Sequence, residues 1–323
     1  MRGKHFSLIN IVFGLTQFKA WRFYWVSQLG MLPGTFVYVN AGTQLAQLKS
    51  PEGIISPEIL FSFALLGLFP LIAQKILAIV KRFRVYRKYQ RPKHYDYNMI
   101  VIGGGSAGLV SAYIGATVKA KVALIEKEKM GGDCLNTGCV PSKALIRSAE
   151  VAHLVKNSEK YQVPAELKDI RLPKVLEGVR EVISKVEPHD SVERYTGLGV
   201  DCLQGEARVV SPWEVEINGK RLTTKSIIVA TGAKPFVPPI PGIKETPYLT
   251  SDTIWNLDET PKSLIVLGGG PIGCELSQAL GRLGVEVTLI EAGEHIAGKE
   301  DPEISNILKE QLETEGIKVM TSH

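Results

Sequence analysis

The chain has 323 residues, which is enough for about two or three domains and a sizeable buried core. Its formal net charge of +5 is uneven, because residues 1–95 carry thirteen Lys and Arg against two Asp and Glu, and a basic excess beside long apolar stretches favours a membrane surface over nucleic acid as the partner. Four cysteines in a chain of this length do not make a disulfide-stapled scaffold, so they indicate a reducing compartment.

The first apolar stretch, residues 21–48, has no charged residue between Arg22 and Lys49 and is interrupted by Gly, Pro, Thr and Asn. This composition predicts a broken or re-entrant membrane segment rather than a plain span. Within it, FYWVSQLGMLPGTFVYVNAGTQL (residues 23–45) resembles the C-terminal part of the SNARE-associated, DedA-like family of membrane proteins. The resemblance implies a partial membrane domain, because the family's earlier membrane segments have no counterpart here.

Residues 59–80, ILFSFALLGLFPLIAQKILAIV, are apolar over about the thickness of a bilayer core, and Lys75 is their only charge. Pro70 is tolerated in a spanning helix. Seven Lys and Arg follow within thirteen residues, KRFRVYRKYQRPK, and such a cluster marks the cytoplasmic end of a span. We therefore predict a segment over residues 1–80 that holds the protein in the lipid bilayer of the cell membrane, and a basic cytoplasmic linker over residues 81–95. The alternative is a buried helix of a soluble domain.

Two segments of the remaining chain are copies of one pattern. IVIGGGSAGLVSAYIGATVKAKVALIE (residues 100–126) and IVLGGGPIGCELSQALGRLGVEVTLIE (residues 265–291) agree at ten of 27 positions without a gap. Each predicts a buried strand, a Gly-x-Gly-x-x-Gly turn, a helix and a second strand that ends in Glu126 or Glu291. The first glycine allows the tight turn, the second lets a pyrophosphate approach the backbone, and the third allows close packing of helix and strand. The sequence therefore predicts two bound dinucleotides, an electron acceptor and an electron donor.

Between the two copies we predict helices around residues 144–160 and 172–196, followed by a β meander. In the meander, WEVEINGKRLTT has Asn-Gly (residues 218–219) at a hairpin turn, and the apolar strand SIIVATGAKP follows. Thr231 and Gly232 at the end of this strand bring a backbone turn close to the first nucleotide. The predicted fold class is α/β, with two Rossmann-like dinucleotide-binding units, the second incomplete, preceded by an α-helical transmembrane segment.

Cys134 and Cys139 lie five residues apart in GGDCLNTGCVPSK, directly after the first copy. A regular helix would hold them too far apart for a disulfide, because five residues correspond to about 7.5 Å of rise. The intervening LNTG is poor helix material, however, and Gly138 can bend the chain enough to close the ring. Pro141 suits the first turn of a new helix, whose positive end would stabilise a reactive Cys139 thiolate beside Lys143.

Three interpretations of this cysteine pair are open at this point. A zinc site would need four ligands, and only these two cysteines cluster. The thiols could instead be inert and buried, or they could form a redox disulfide beside a bound flavin, which the preceding dinucleotide loop favours. Cys202 and Cys274 lie outside the motif and are interpreted as packed thiols.

GGDCLNTGCVPSKAL resembles the active-site motif of the class I pyridine nucleotide–disulfide oxidoreductases, which include dihydrolipoamide dehydrogenase, glutathione reductase and mercuric reductase. The likeness covers residues 96–323, and GGGPIGCEL is most similar to the mercuric reductase branch. The resemblance implies that Cys139 is the sulfur that faces the flavin, that Cys134 is the interchange thiol, and that Lys143 pairs with Glu275 near the flavin.

The resemblance also implies FAD on the first unit and NADH or NADPH on the second. The residues that it assigns to FAD are Gly103, Gly105, Ala107, Gly108, Glu126, Gly132, Lys143, Ala207, Thr231 and Gly232. The residues that it assigns to the nicotinamide cofactor are Gly268, Gly270, Gly273 and Glu291.

We accordingly place an FAD-binding domain with the redox disulfide at residues 96–261 and an incomplete NAD(P)-binding domain at residues 262–323, with no metal site. Glu291 would accept bonds from a ribose diol and repel a 2′-phosphate, so we predict a preference for NADH. The leading function is NAD(P)H-linked reduction, through FAD, of the Cys134–Cys139 disulfide and then of a small thiol, disulfide or metal-ion substrate. The alternative is a membrane transport or scaffold protein that carries a remnant or sensory flavin domain.

Members of the family that the cysteine motif resembles continue well beyond the position reached at residue 323. We therefore expect a truncated chain, with weak flavin binding and low disulfide turnover on its own. A homodimer is expected only if an interface domain exists beyond this chain.

Overall fold

The computed structural model describes residues 20–46 and 57–323, and it divides the chain into two compact units at the boundary between Gln90 and Arg91. Residues 1–19 and 47–56 lie outside the described part of the chain. The portions of the predicted membrane segment that fall on them therefore stay predictions.

The described part of the first unit consists of two long helices, α1 (Ala20–Ala46) and α2 (Pro57–Tyr86). They pack against each other near Gly34 of α1, where an added Cβ would lie 3.4 Å from the ring of Phe69 in α2. Many of the large apolar side chains described on both helices are exposed, among them Trp21, Phe36, Tyr38, Phe61, Leu71, Ile79 and Phe83.

The structure corrects the prediction of a broken or re-entrant segment over residues 21–48. Helix α1 runs without interruption for 27 residues, and Pro33 lies inside it. A proline removes one backbone donor, but the hydrogen bonds of the other turns remain. The hydroxyl of Thr35 donates to the carbonyl of Met31 at 3.0 Å, which adds a bond in the turns around the proline. One proline with scattered polar residues therefore did not suffice to break this helix.

The predicted transmembrane span over residues 59–80 is not supported. These residues are helical, as expected, but among the described residues no helix is both long enough and apolar enough to cross a membrane. The helix that contains them carries Lys75 in its interior and continues through the predicted boundary at residue 80 as far as Tyr86. Residues 81–86 of the predicted linker are therefore part of α2.

The second unit, all of which the structure describes, contains nine strands and seven α-helices. The strands are β1 (Tyr97–Ile102), β2 (Val122–Glu126), β3 (Val200–Gln204), β4 (Ala207–Ser211), β5 (Glu214–Ile217), β6 (Lys220–Val229), β7 (Ser263–Leu267), β8 (Glu286–Glu291) and β9 (Lys318–Thr321). The helices are α3 (Ser106–Thr117), α4 (Gly132–Asn136), α5 (Cys139–Lys156), α6 (Leu172–Val186), α7 (Val192–Gly197), α8 (Pro271–Arg282) and α9 (Pro302–Thr314). This composition confirms the predicted α/β class.

The larger sheet has six strands in the order β3-β2-β1-β6-β5-β4. The first four strands of this order are parallel, and β6, β5 and β4 form the predicted antiparallel meander. The two-residue turn of the hairpin is confirmed, because Asn218 and Gly219 have φ angles of 49° and 74°. The helix predicted over residues 172–196 is divided into α6 and α7 by a 3₁₀ turn at Glu187–Asp190.

Both faces of the parallel part of this sheet are covered. On one face, Val101 of β1 packs with Leu109 of α3 and Tyr195 of α7. On the other face, Ile100 packs with Val215 of β5, so the meander covers this face of the parallel strands. The carboxyl ends of β1, β2 and β6 lie at one edge, where the predicted cofactor residues follow them.

The smaller sheet consists of the parallel strands β7, β8 and β9. It packs into a core that also includes α5, α6, α8 and α9, with Leu145, Leu280, Leu289 and Leu312 among the buried residues. The two predicted dinucleotide-binding units therefore share a core, and residues 91–323 form one compact unit.

Candidate functional site

The first glycine loop follows β1 and is closed by backbone from other segments. Gly103 has a φ of 107°, and a Cβ there would lie 2.2 Å from the carbonyl oxygen of Ala230 at the end of β6. A Cβ on Gly108, in the first turn of α3, would lie 1.8 Å from the carbonyl oxygen of Gly103. Gly105 pairs with Gly131 through an isolated bridge. Close backbone packing therefore requires the first and third glycines of this loop.

The second glycine loop, after β7, has the same conformation as the first loop, but fewer atoms lie close to its glycines. Gly268 has a φ of 103°, and a Cβ on Gly273 would lie 2.0 Å from the carbonyl oxygen of Gly268. A Cβ on Gly268 or Gly270 would meet no heavy atom within 4 Å. The space beside Gly270 leaves the backbone open to the close approach of a pyrophosphate.

Both loops lead into a helix whose N-terminus has no side-chain cap. The N-cap residues are Gly105 for α3 and Gly270 for α8. The first backbone N–H groups of each helix are therefore available to phosphate oxygens, and the helix dipole favours negative charge at this position. The residues present thus fit the pyrophosphate of a dinucleotide at each loop.

Glu126 and Glu291 end β2 and β8 and make equivalent hydrogen bonds. Oε2 of Glu126 accepts from the backbone N–H of Gly104 at 2.5 Å, and Oε2 of Glu291 accepts from that of Gly269 at 2.6 Å. Oε1 of each carboxylate accepts from the backbone N–H two residues further along, at 2.7 Å in both copies. Both carboxylates are thus fixed beside their loops, where the sequence predicts ribose acceptors.

Three further residues predicted to bind FAD lie against the first loop. A Cβ on Gly103 would lie 3.2 Å from the Cα of Thr231, and Gly232 follows with a φ of 65°. Gly132 has a φ of 54°, and a Cβ there would lie 2.7 Å from the Cα of Gly105. The backbone of three separate segments therefore converges at the carboxyl end of β1.

The two remaining predicted FAD residues lie near the same end of the sheet. Ala207 begins β4, two residues after Gly205, whose N–H donates to the carbonyl of Glu126 at 2.9 Å. Ala107 is exposed in the first turn of α3. Both positions belong to the surroundings of the first loop, and their contacts with a cofactor stay predictions.

Cys134 and Cys139 lie on two different helices joined by a tight link. Cys134 is in α4, and Cys139 begins α5, as expected for a thiol at a helix N-terminus. The N–H groups of Thr137 and Gly138 both donate to the carbonyl of Asp133, at 2.9 and 2.5 Å, and this reverses the chain. A Cβ on Gly138 would lie 2.9 Å from that carbonyl oxygen, so Gly138 makes the predicted bend.

Both cysteines are thiols in this structure, and Cys134 influences Cys139. A hydrogen bond with Cys134 raises the pKa of Cys139 above its usual value, and burial and the charge of Cys134 act in the same direction. The backbone at the start of α5 and the charge of Lys143 lower the pKa by less. In the dithiol form, the neighbouring Cys134 thiol therefore counteracts the stabilisation of a Cys139 thiolate by the helix terminus and Lys143, and the predicted reactive thiolate stays a prediction.

Lys143, one turn into α5, forms an ion pair with Glu275 of α8. The Lys143 Nζ lies 2.7 and 2.8 Å from the two carboxylate oxygens. The side chains are 62% and 39% exposed, so the pair contributes little to stability. It joins the helix that begins at Cys139 to the helix that begins at the second glycine loop. The role of the pair beside a flavin stays a prediction.

Two residues that hold the cysteine motif were missed by the sequence analysis. The Asn136 side-chain amide donates to the carbonyls of Met130 and Gly132, at 3.0 and 2.9 Å. The Trp255 indole donates to the carbonyl of Thr137 at 2.9 Å. Asn136 lies inside the motif, where an amide side chain signals local backbone bonding. Trp255 is 118 residues from Thr137, and no local pattern indicates their contact.

The other two cysteines take no part in this arrangement. Burial raises the pKa of both the Cys202 and the Cys274 thiol. The Sγ of Cys274 lies 3.3 Å from the carbonyl oxygen of Gly269, beneath the second glycine loop. Within residues 20–46 and 57–323, no group of three or more His, Cys, Asp and Glu side chains is placed to hold a metal ion.

Comparisons with known proteins agree with this geometry. Residues 97–323 match the family described as Pyridine nucleotide-disulphide oxidoreductase. A mercuric reductase from Bacillus cereus is 38% identical over 228 residues, which cover 71% of this chain and 36% of that protein. A dihydrolipoyl dehydrogenase from Acholeplasma laidlawii is 36% identical over 242 residues, covering 70% of this chain and 68% of that protein.

A solved structure is also similar to this chain. The HOCl-induced flavoprotein disulfide reductase RclA from Escherichia coli matches with a TM-score of 0.60 and 28% identity, over 70% of this chain and 49% of RclA. This chain thus spans about half the length of RclA and less than half that of the mercuric reductases.

The family match begins at residue 97, so it does not extend to the first unit, and the likeness of residues 23–45 to DedA-like proteins stays a prediction. The match covers both glycine loops, both acidic residues and the cysteine motif. Members of the matched family use FAD and NAD(P)H. The chain therefore belongs to the pyridine nucleotide-disulfide oxidoreductase family of flavoenzymes.

Proposed function

We propose that the second unit reduces disulfide-type substrates, with electrons that pass from NAD(P)H through FAD to the Cys134–Cys139 pair. The observation that carries this proposal is the Lys143–Glu275 ion pair. It connects the helix that begins at Cys139 with the helix that begins at the second glycine loop, while the cysteine motif directly follows the first loop. The two glycine loops and the cysteine motif therefore belong to one compact unit.

FAD bound at the first loop would supply the redox chemistry that links a nicotinamide cofactor at the second loop to the cysteines. The chain's own residues would bind and orient the two cofactors. The N-termini of α3 and α8 would receive the pyrophosphates, and Glu126 and Glu291, held by their backbone hydrogen bonds, would accept from the ribose hydroxyls. Lys143 keeps a positive charge one turn from Cys139, where a thiolate develops.

The proposed reaction of the two cysteines is a cycle of thiol–disulfide exchange. Two electrons and two protons convert the Cys134–Cys139 disulfide into two thiols. The Cys134 thiolate attacks a substrate disulfide, releases one thiol and forms a mixed disulfide. Cys139 then attacks the Cys134 sulfur, releases the second thiol and restores the internal disulfide. The relatives, mercuric reductase and dihydrolipoyl dehydrogenase, suggest a metal ion or a small disulfide as the substrate classes to compare.

The test uses the full 323-residue chain with added FAD, NADH and either lipoamide or glutathione disulfide. Cys134→Ser and Cys139→Ser are each expected to reduce turnover to the background rate. Cys202→Ala is the matched control, because this thiol lies outside the motif, and we expect its turnover within about twofold of the wild type. Full turnover in either motif variant would contradict the proposal. A chain that takes up no flavin from added FAD would instead favour the transport or scaffold alternative.

We further propose that NADH is preferred over NADPH. The Glu291 carboxylate is fixed at the end of β8 by the N–H groups of Gly269 and Gly293, so its charge would repel a 2′-phosphate. Glu291→Arg is expected to shift the ratio of kcat/KM for the two cofactors towards NADPH. A wild-type chain that uses NADPH more efficiently than NADH would contradict this assignment.

We also propose that the first unit places the protein at the cell membrane, with the second unit on the cytoplasmic side. Two features support this proposal. Helices α1 and α2 expose many large apolar side chains, and the end of α2 and the residues after it carry seven Lys and Arg, which suit anionic lipid headgroups. The full chain is expected to float with vesicles of phosphatidylcholine and phosphatidylserine. The triple variant Arg82→Glu, Arg84→Glu and Arg87→Glu should bind these vesicles more weakly. A wild-type chain that does not float with the vesicles would contradict the proposal.

A further inference from the structure

The link between the two cysteines contains a carbonyl that its usual backbone donor cannot satisfy. Continued helical bonding would pair the carbonyl of Thr137 with the N–H four residues later, but that residue is Pro141, which has no N–H. Two other carbonyls of this stretch do have backbone donors. Asp133 accepts from two amides, and Gly138 accepts from Ser142 at 3.0 Å. The Thr137 carbonyl therefore depends on a donor from elsewhere in the fold.

Trp255 supplies that donor. Its Nε1 lies 2.9 Å from the carbonyl oxygen of Thr137 and 2.7 Å from that of Ser251, so one N–H is shared between two carbonyls. The residue is 6% exposed and belongs to the core that includes Leu145 of α5. Arg180 of α6 donates to the Trp255 carbonyl at 3.2 Å. The core and the backbone together fix the position of the indole.

We propose that Trp255 is a positioning residue for the Cys134–Cys139 pair, and that its indole N–H holds the link between the thiols in the geometry from which the disulfide closes. This inference rests on the proposed function, since it concerns the same pair. Trp255 acts through the Thr137 carbonyl and not on a sulfur atom. A link that is already ordered loses less conformational entropy when the S–S bond forms. Without the indole donor, the dithiol form gains freedom and the disulfide becomes less favourable.

The test is a thiol–disulfide equilibrium of the full chain with glutathione. Protein dithiol and glutathione disulfide exchange to give protein disulfide and two glutathione molecules, and acid quenching, alkylation and mass spectrometry give the ratio. Trp255→Phe keeps an aromatic ring and removes the N–H. We expect this variant to shift the equilibrium constant towards the dithiol by about two- to tenfold, the range that one net hydrogen bond gives. Trp213→Phe, a tryptophan of the same unit outside the link, should leave the constant unchanged.

The outcomes separate this inference from the proposed function. A wild-type chain that forms no Cys134–Cys139 disulfide at any glutathione ratio overturns the proposed function itself. A wild-type chain that forms it, together with a folded Trp255→Phe variant of unchanged equilibrium constant, overturns only the positioning role. If Trp255→Phe does not fold, the positioning role is tested instead by deuterium exchange at the indole N–H of the wild-type dithiol. Slow exchange supports the proposal, and exchange as fast as in an exposed indole overturns it.

Discussion

The two copies of the dinucleotide pattern have the same local conformation but differ in what covers them. Ile100 and Ile102 of β1 are 0% and 8% exposed, whereas the equivalent residues of β7, Ile265 and Leu267, are 65% and 50% exposed. In the first copy, β5 of the meander covers this face through residues such as Val215. Within residues 20–46 and 57–323, no element covers the corresponding face of β7 to the same degree.

The conformation of each glycine loop is set by the motif, whereas the burial of the strand before it is set by the surrounding fold. In both copies the first glycine has a φ above 100°, the third glycine packs on the first, and the terminal carboxylate binds the loop backbone. These features recur where the surroundings differ, so they follow from the local sequence. Burial of the strand depends instead on elements distant in the chain, and the motif alone does not determine it.

Substitution of the first glycine in each loop should give the largest difference between the copies. Both positions have a positive φ, which strains alanine by about 1–3 kcal/mol. At Gly103 the new Cβ also overlaps the Ala230 carbonyl, whereas at Gly268 it meets open space. We expect Gly103→Ala to lower the free energy of unfolding by about 4 kcal/mol and Gly268→Ala by about 2 kcal/mol. Denaturant unfolding of the full chain measures both, and equal losses would contradict the closure of the first loop.

A largely buried ion pair distinguishes the second copy, and its Arg282 and Glu315 side chains are 17% and 4% exposed. The Nε and Nη2 of Arg282 each lie 2.6 Å from an oxygen of Glu315, to which Gln278 and Gln311 also donate. The position equivalent to Arg282 in the first copy is Thr117. Burial raises the pKa of Glu315, but the hydrogen bond from Arg282 and the other donors outweigh it and hold the pKa below its usual value.

This pair predicts a pH-dependent stability. Because the folded-state pKa of Glu315 is lowered, its contribution is present at neutral pH and is lost as the pH falls below the ordinary glutamate range of about 4. We expect Glu315→Gln to reduce the free energy of unfolding by about 3 kcal/mol at pH 7, and by progressively less in acid. Unfolding of both proteins from pH 7 to about pH 2 tests this, and a constant difference across that range would contradict the assignment.

The equivalent carboxylates test whether the two loops bind different ligands. Glu126 and Glu291 each accept two backbone N–H groups, and glutamine offers only one oxygen, so each change should cost about 1–2 kcal/mol of stability. Glu126→Gln should weaken FAD binding and Glu291→Gln should weaken NADH binding, as measured by fluorescence titration. The opposite pattern would mean that the two loops have been assigned to the wrong cofactors.

The smallest effect on stability is expected for the exposed pair that connects α5 and α8. Lys143→Met should change the free energy of unfolding by less than about 1 kcal/mol, because both side chains are in contact with solvent. Turnover should nevertheless fall about tenfold or more, since the charge beside Cys139 is lost. The matched control is Lys174→Met, which removes an exposed pair with Glu177 in the same unit. If both variants reduced turnover alike, the role of Lys143 would be refuted.

The sequence predicted those parts of the molecule that depend on neighbouring residues. The glycine loops, the hairpin at residues 218–219 and the bend at Gly138 are local, and the structure has each of them. The pairing of Lys143 with Glu275 was implied only by resemblance, because no periodicity relates residues 132 positions apart. The contact of Trp255 with the cysteine link depends on tertiary packing over 118 residues, so the sequence could not indicate it.

The redox role of the Cys134–Cys139 pair is tested by the number of thiols that NADH generates. The full chain is oxidised, supplied with FAD, and then exposed to NADH without oxygen before quenching, alkylation and mass spectrometry. We expect one new label on Cys134 and one on Cys139, with Cys202 and Cys274 unchanged. Consumption of NADH by the flavin-loaded chain, with no new label at either motif cysteine, would contradict a redox role for the pair.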